Sequence, residues 1–168
     1  MSQPFVVLEG TLSGVLQVVN TSNTPINADA LPTFKIYGPN GSVENGTCSF
    51  LHSGSVTAAT NAAPIVITST SHGLTTGQRV TISGVLGNTA ANGTFNVTKV
   101  NANTFSLDGS TGNGAYTSGG TWNVTGAYLY SITALGTDGY EVSESYAVLF
   151  DYDISSTATG QRHSFNVV

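Results

Sequence analysis

The chain has 168 residues, of which 8% are charged and 39% apolar, whereas soluble domains carry about 25% charge. A formal net charge of −5, from 4 basic and 9 acidic residues, leaves no cluster able to neutralise a run of phosphates. This excludes nucleic acid and disfavours an anionic membrane surface. A single cysteine, Cys48, excludes an intrachain disulfide, and no apolar run approaches the ~20 residues of a membrane span.

Gly, Ser, Thr and Asn take the place of the missing charge. Such a surface is polar but weakly self-repelling, and it pairs readily with other surfaces. Met1-Ser2-Gln3-Pro4 has no basic region leading into an apolar core, so no secretory signal is read here and folding in a cytoplasm is expected.

In chain order, Phe5 to Leu8 opens a strand, and Val15-Leu16-Gln17-Val18-Val19 gives a second. Asn20 to Leu31 is turn-rich, with Pro25, Asn27 and Asp29; Asn27 to Leu31 has room for one helical turn. Thr33-Phe34-Lys35-Ile36-Tyr37 alternates polar and apolar, and Gly38-Pro39-Asn40-Gly41 ends it with turn chemistry. Val43 to Leu51 then returns as a hairpin partner, with Cys48 a buried small hydrophobe.

From Pro64 to Trp122 the style changes. Ile65-Val66-Ile67, Val80-Thr81-Ile82, Phe95-Asn96-Val97 and Phe105-Ser106-Leu107 are short apolar runs, each closed by Gly or Asn, the pattern of a small all-β module. Longer strands resume with Ala127 to Thr133 and, after a turn at Gly136 to Gly139, Tyr146 to Ile154. Ser155 to Gly160 is expected as a loop, and His163 to Val168 as a last strand.

The expected fold is all-β: an Ig-like β-sandwich of about seven strands, 1–56 and 125–168, interrupted by a small β-barrel-like module, 57–124. Removing the module joins Phe50-Leu51-His52-Ser53-Gly54 to Thr125-Gly126-Ala127, and both joints have linker composition. The alternative is one continuous barrel or sandwich of about twelve strands.

No catalytic constellation, cofactor motif or metal-ligand spacing is present. His52, His72 and His163 lie far apart, and His72, in the turn Ser71 to Leu74, is expected to bond the backbone. Asp151 and Asp153 share a strand face near Glu141 and Glu144, a pattern open to Ca²⁺ or a glycosidase pair but more simply a solvated face. Asp108 to Gly114 is Gly-rich but has neither the Lys nor the helix of a phosphate loop, and is expected as a long flexible turn. Sequons such as Asn45-Gly46-Thr47 follow from Asn- and Thr-rich turns. Most of the tyrosines are expected to cap the core with the hydroxyl at its edge. Candidate interface residues are Phe5, Tyr37, Tyr116, Trp122, Tyr140 and Tyr152.

His72-Gly73-Leu74-Thr75-Thr76-Gly77, Val80 to Gly84, Asn92-Gly93-Thr94-Phe95, Asn103 to Leu107 and Gly109 to Gly114 together resemble a module of tailed-phage and prophage structural proteins. The module is also similar to a small β-domain of ubiquitin-activating enzymes, which implies a shared barrel shape and no ubiquitin chemistry. Leu31 to Gly41, with Gly139-Tyr140-Glu141 and Tyr146 to Leu149, resembles small Ig-like virion proteins of tailed phages. The resemblance implies a virion structural subunit, assembled in the host cytoplasm. It would be a capsid decoration (cement) protein bound to the major capsid protein or other virion subunits, and a homo-oligomer, with a trimer favoured. A neck or tail accessory and a carbohydrate-binding adhesin are the alternatives.

Overall fold

The computed structural model describes residues 10–20, 22–38, 41–134, 145–154 and 157–166. Within them the chain is all-β, with a single 3₁₀ turn at Thr89–Ala91. It divides into two compact units. One comprises 1–22, 26–49 and 128–168; the other comprises 50–127 together with 23–25. The expected strand from Phe5 to Leu8 and the turn at 136–139 lie outside the described residues, as do Tyr140, Glu141 and Glu144.

The first unit holds β1 (Gly10–Gln17), β2 (Thr33–Gly38), β3 (Gly41–Thr47), β4 (Ser49–Phe50), β12 (Ala127–Ala134), β13 (Ser145–Ile154) and β14 (Thr157–Asn166). They form a four-stranded sheet, β14-β13-β2-β3, and a three-stranded sheet, β1-β12-β4. Alternation in β2 buries Phe34 and Ile36 and exposes Thr33, Lys35 and Tyr37; in β13 it buries Val148 and Phe150. Phe34 and Phe150 of one sheet meet Tyr130 of the other, with centroids 6.4 and 5.0 Å from its ring. Leu16, Tyr128 and Ile132 complete this core, each about 1% exposed. The Phe34 ring also lies over Gly46, its cross-strand partner on β3, where a Cβ would meet the ring at 2.6 Å.

Four sequence expectations change in this unit. The return from Val43 to Leu51 is two strands, not one: at Cys48, whose N–H bonds Pro32 O at 2.8 Å, the chain leaves the four-stranded sheet for the three-stranded one. The loop expected over Ser155 to Gly160 shrinks, because Thr157 already pairs with Ile154 and β14 stays in register with β13 for ten residues. Val15 belongs to a strand that starts earlier, at Gly10, and no helix forms over 27–31.

The second unit contains β5 (Ser53–Ser55), β6 (Ala58–Ala59), β7 (Ile65–Thr68), β8 (Arg79–Ser83), β9 (Gly93–Lys99), β10 (Thr104–Leu107) and β11 (Thr121–Val124), in the order β5-β11-β8-β9-β10-β7-β6. The edge strands β5 and β6 are separated only by Val56 and Thr57. Laid flat, seven strands would hold those edges ~29 Å apart, whereas three residue steps reach at most ~11 Å. The sheet therefore curls into a half-barrel. The bend falls within β9: residues 93–96 pair with β8 and 97–99 with β10. Inside the curl lie Ile65 and Ile67, Val80 and Ile82, Val97, Phe105 and Leu107, and Trp122 and Val124. The four short apolar runs are thus four of its strands. β5, β6 and β11 were not expected: β5 and β6 are Ser, Gly and Ala without hydrophobic alternation, and β11, which does alternate, lies at the expected end of the module.

Candidate interaction surfaces

The structure shows which candidate side chains are free to meet a partner. Trp122 is not, which corrects its assignment as an interface residue. It is 2% exposed, donates its indole N–H to Ser69 Oγ at 2.8 Å, and packs edge-on against Phe105 at 5.6 Å. Its ring lies beside Gly54, its partner across the β5–β11 ladder. Tyr116 is half-buried, and its hydroxyl donates to Val56 O at 3.0 Å and Gly119 O at 3.1 Å, which ties a loop to the barrel. Tyr37 is exposed on β2, and Tyr152 is half-buried at the end of β13. Phe5 and Tyr140 lie outside the described residues.

The Gly-rich stretch after Asp108 is fastened rather than a free turn. Asn88, fully buried, donates from Nδ2 to Thr60 O at 2.8 Å and accepts from Asn113 N–H at 3.1 Å. Asn113 in turn accepts from Ala90 N–H at 3.0 Å and donates to Thr89 Oγ1 at 2.9 Å. Glycine permits the close approach: Gly87, at φ +81°, lies where a Cβ would collide with Ala115 O and come within 2.9 Å of Thr117 N. Asparagine amides supply backbone-like donors and acceptors where the two segments are too irregular for a ladder.

His72 is 3% exposed and takes a structural place. Its Nδ1 accepts from Leu74 N–H at 3.0 Å, which leaves Nε2 as the donor to Asn101 O at 2.9 Å, and its ring stacks edge-on against Phe105. Backbone bonding at this turn was expected from the sequence. Among the described residues no three His, Cys, Asp or Glu side chains converge on a common point. Cys48 is buried, and burial pushes its thiol up to about 11 from an ordinary 9.0. Burial likewise raises Tyr128, whose hydroxyl oxygen accepts from Ala28 N–H at 2.8 Å.

Two features of the four-stranded sheet remain open to a partner. One is its edge at β14, which has no second neighbour among the described residues. The other is its outer face, where Thr33, Lys35, Tyr37, Asp151 and Asp153 are exposed and Ala147 and Leu149 half-buried. At one end of that face a cleft of about 240 Å³ is lined by Ala30, Leu31, Thr33, Asp151, Tyr152 and Asp153. Leu31 is 41% exposed there.

Residues 63–125 match the ubiquitin-activating enzyme E1 FCCH domain. The match spans β7 to β11, most of the curled sheet, and stops short of the first unit. No curated protein matches the chain significantly.

Proposed function

We propose that the protein is a structural subunit of a tailed-phage virion that works by binding and transforms nothing. In this proposal it is a decoration (cement) protein on the head, an Ig-like sandwich carrying the FCCH-like module as an insert. It is a homo-oligomer attached to the major capsid protein or neighbouring virion subunits.

The observation that carries this proposal is the β14 edge. Ten residues run in unbroken register with β13, with no proline and no bulge. Natural edge strands are normally shortened, bulged, charged with Lys or covered, because their free N–H and C=O groups template pairing with another chain. An edge this long, without a second neighbour among the described residues and with Arg162 as its one formal charge, suits a subunit whose surroundings supply the missing strand. The low charge of the whole chain suits close packing among subunits, and the resemblance in sequence to phage structural modules points the same way. A protein bound across neighbouring coat subunits raises the cost of separating them by mass action.

The test is to mix purified protein with empty phage heads and, separately, with host envelope glycans. Saturable attachment at a fixed number of copies per head, with a raised temperature of head disruption, is expected. Binding to glycans alone, with none to heads, would overturn the proposal in favour of an adhesin.

A further inference from the structure

The outer face of the four-stranded sheet carries both halves of an ion pair that the fold leaves unmade. Lys35 on β2 lies opposite Leu149 on β13, and Asp151 lies opposite Thr33, one same-face step away. Lys35 and Asp151 are both exposed, and neither forms an ion pair among the described residues. Neighbouring strands are ~4.8 Å apart and same-face residues ~6.8 Å, so the two backbone sites are separated by about 8 Å. Half-buried Leu149 and Ala147 and exposed Tyr37 fill the space around them. Beyond Asp151 the cleft offers the apolar side of Leu31 and a second carboxylate, Asp153. An apolar wall under an acidic rim matches a lysine, whose methylenes lie on the wall while the ammonium reaches the carboxylates.

We propose that this face binds a second copy of the chain about a two-fold axis, with Lys35 of each copy seated between Asp151 and Asp153 of the other. Because the cation and the anions share one face, the complementary surface is the same face of another copy, and such a contact is isologous and closes at two. An axis lying between the two sheets and bisecting the Lys35–Asp151 line makes both pairs at once. Four strands over about six residues present roughly 400 Å² per copy before side-chain relief is counted, about half of what a standard stable interface buries on each side. The dimer is therefore weak, concentration-dependent and sensitive to salt. The contact leaves the β14 edges of both copies free and produces pairs, in contrast to the three-fold order favoured from the sequence. It does not rest on the virion proposal, since it is tested on the purified protein alone.

Sedimentation velocity over a concentration series is the experiment. The wild type is expected to pass from the 17.2 kDa chain to twice that mass as concentration rises, and to revert in high salt. K35D and D151K should each weaken the pairing about tenfold or more, because both contacts become repulsive. An equimolar mixture of the two variants should recover it, since the new carboxylate of one chain meets the new ammonium of the other. Circular dichroism establishes that each variant is folded, and the neutral changes K35Q and D151N give the same test without like-charge repulsion. A wild type that stays monomeric to about 1 mM, a trimer, or a dimer indifferent to both reversals would each overturn the proposal.

Discussion

Replacing Trp122 separates a core role from a binding role. The side chain is 2% exposed, stacks against Phe105 and makes one hydrogen bond, to a Ser69 that is itself 2% exposed. Truncation to Ala removes a large ring from a closed core and costs about 3–5 kcal/mol. Phe keeps a ring beside Phe105 but loses the indole N–H and the second ring, and about 2–3 kcal/mol is expected. Ser69→Ala keeps the indole but strands its N–H in the core, at about 1–3 kcal/mol. In the double variant W122F/S69A neither polar group remains to be stranded. Its cost should therefore fall short of the sum of the single costs by about 1 kcal/mol. The assay is urea unfolding read by circular dichroism for the variants, and also by tryptophan emission in the wild type and in S69A. Trp122 is the chain's only tryptophan, so its emission reports on the second unit alone. A loss below about 1 kcal/mol for W122A, combined with lost attachment to a partner, would refute the core assignment.

Gly87, packed against the fastened loop, and Gly77, in the turn before β8, give a controlled pair. Gly87→Ala meets both a positive φ and the Ala115 carbonyl, whereas Gly77→Ala, at φ +91°, has nothing within 4 Å of the added Cβ. G77A should cost about 1–2 kcal/mol and G87A at least about 2 kcal/mol more, measured as the difference in unfolding free energy; equal costs would show that the two segments do not pack so closely. For Cys48, the folded thiol holds its proton to about 11 whereas the exposed one loses it near 9.0. Stability tied to it is complete below pH ~9 and is lost as pH rises toward ~11, by up to about 1.4 kcal/mol per unit. The difference between wild type and C48A in unfolding free energy from pH 8 to 10 measures this. Native protein at pH 8 should also resist a thiol reagent that labels the unfolded chain at once.

Strands with strict alternation or compact apolar runs were legible from sequence. Thr33 to Tyr37, the runs at Ile65, Val80, Phe95 and Phe105, and Tyr146 to Ile154 all lie where the pattern places them, because burying one face of a pleated strand demands alternation. Strands β5 and β6 were hidden because their neighbours hold them, whereas β11 alternates but is only four residues long and lies at the expected module end. Ser53–Ser55 is a strand since Trp122 needs a glycine beside it, and nothing local says so. Trp122 itself looked like a joint residue because the segment before it, Thr117-Ser118-Gly119-Gly120-Thr121, is all small residues. The loop over 108–114 looked flexible for the same reason, and the Asn88–Asn113 bonds that fasten it join residues 25 positions apart. The exposed acids were correctly placed on one face. Their relation to Lys35 depends on which strands are neighbours, and that is not written in any local stretch.

By itself the sequence determined an all-β chain with little charge, two styles of strand and no run of residues fit to span a membrane as a helix. Composition and period decide those properties, since each is set by what a residue and its near neighbours must bury or expose. Only the tertiary structure decided that the middle sheet curls, because its edges are consecutive in the chain and must meet. Only it decided which polar residues are fastened inside, which strand edge lacks a second neighbour among the described residues, and that Lys35 stands one diagonal step from Asp151. Those relations join residues from 25 positions apart, as at Asn88 and Asn113, to more than a hundred, as at Lys35 and Asp151, and they are fixed by sheet order and register, which no local pattern encodes.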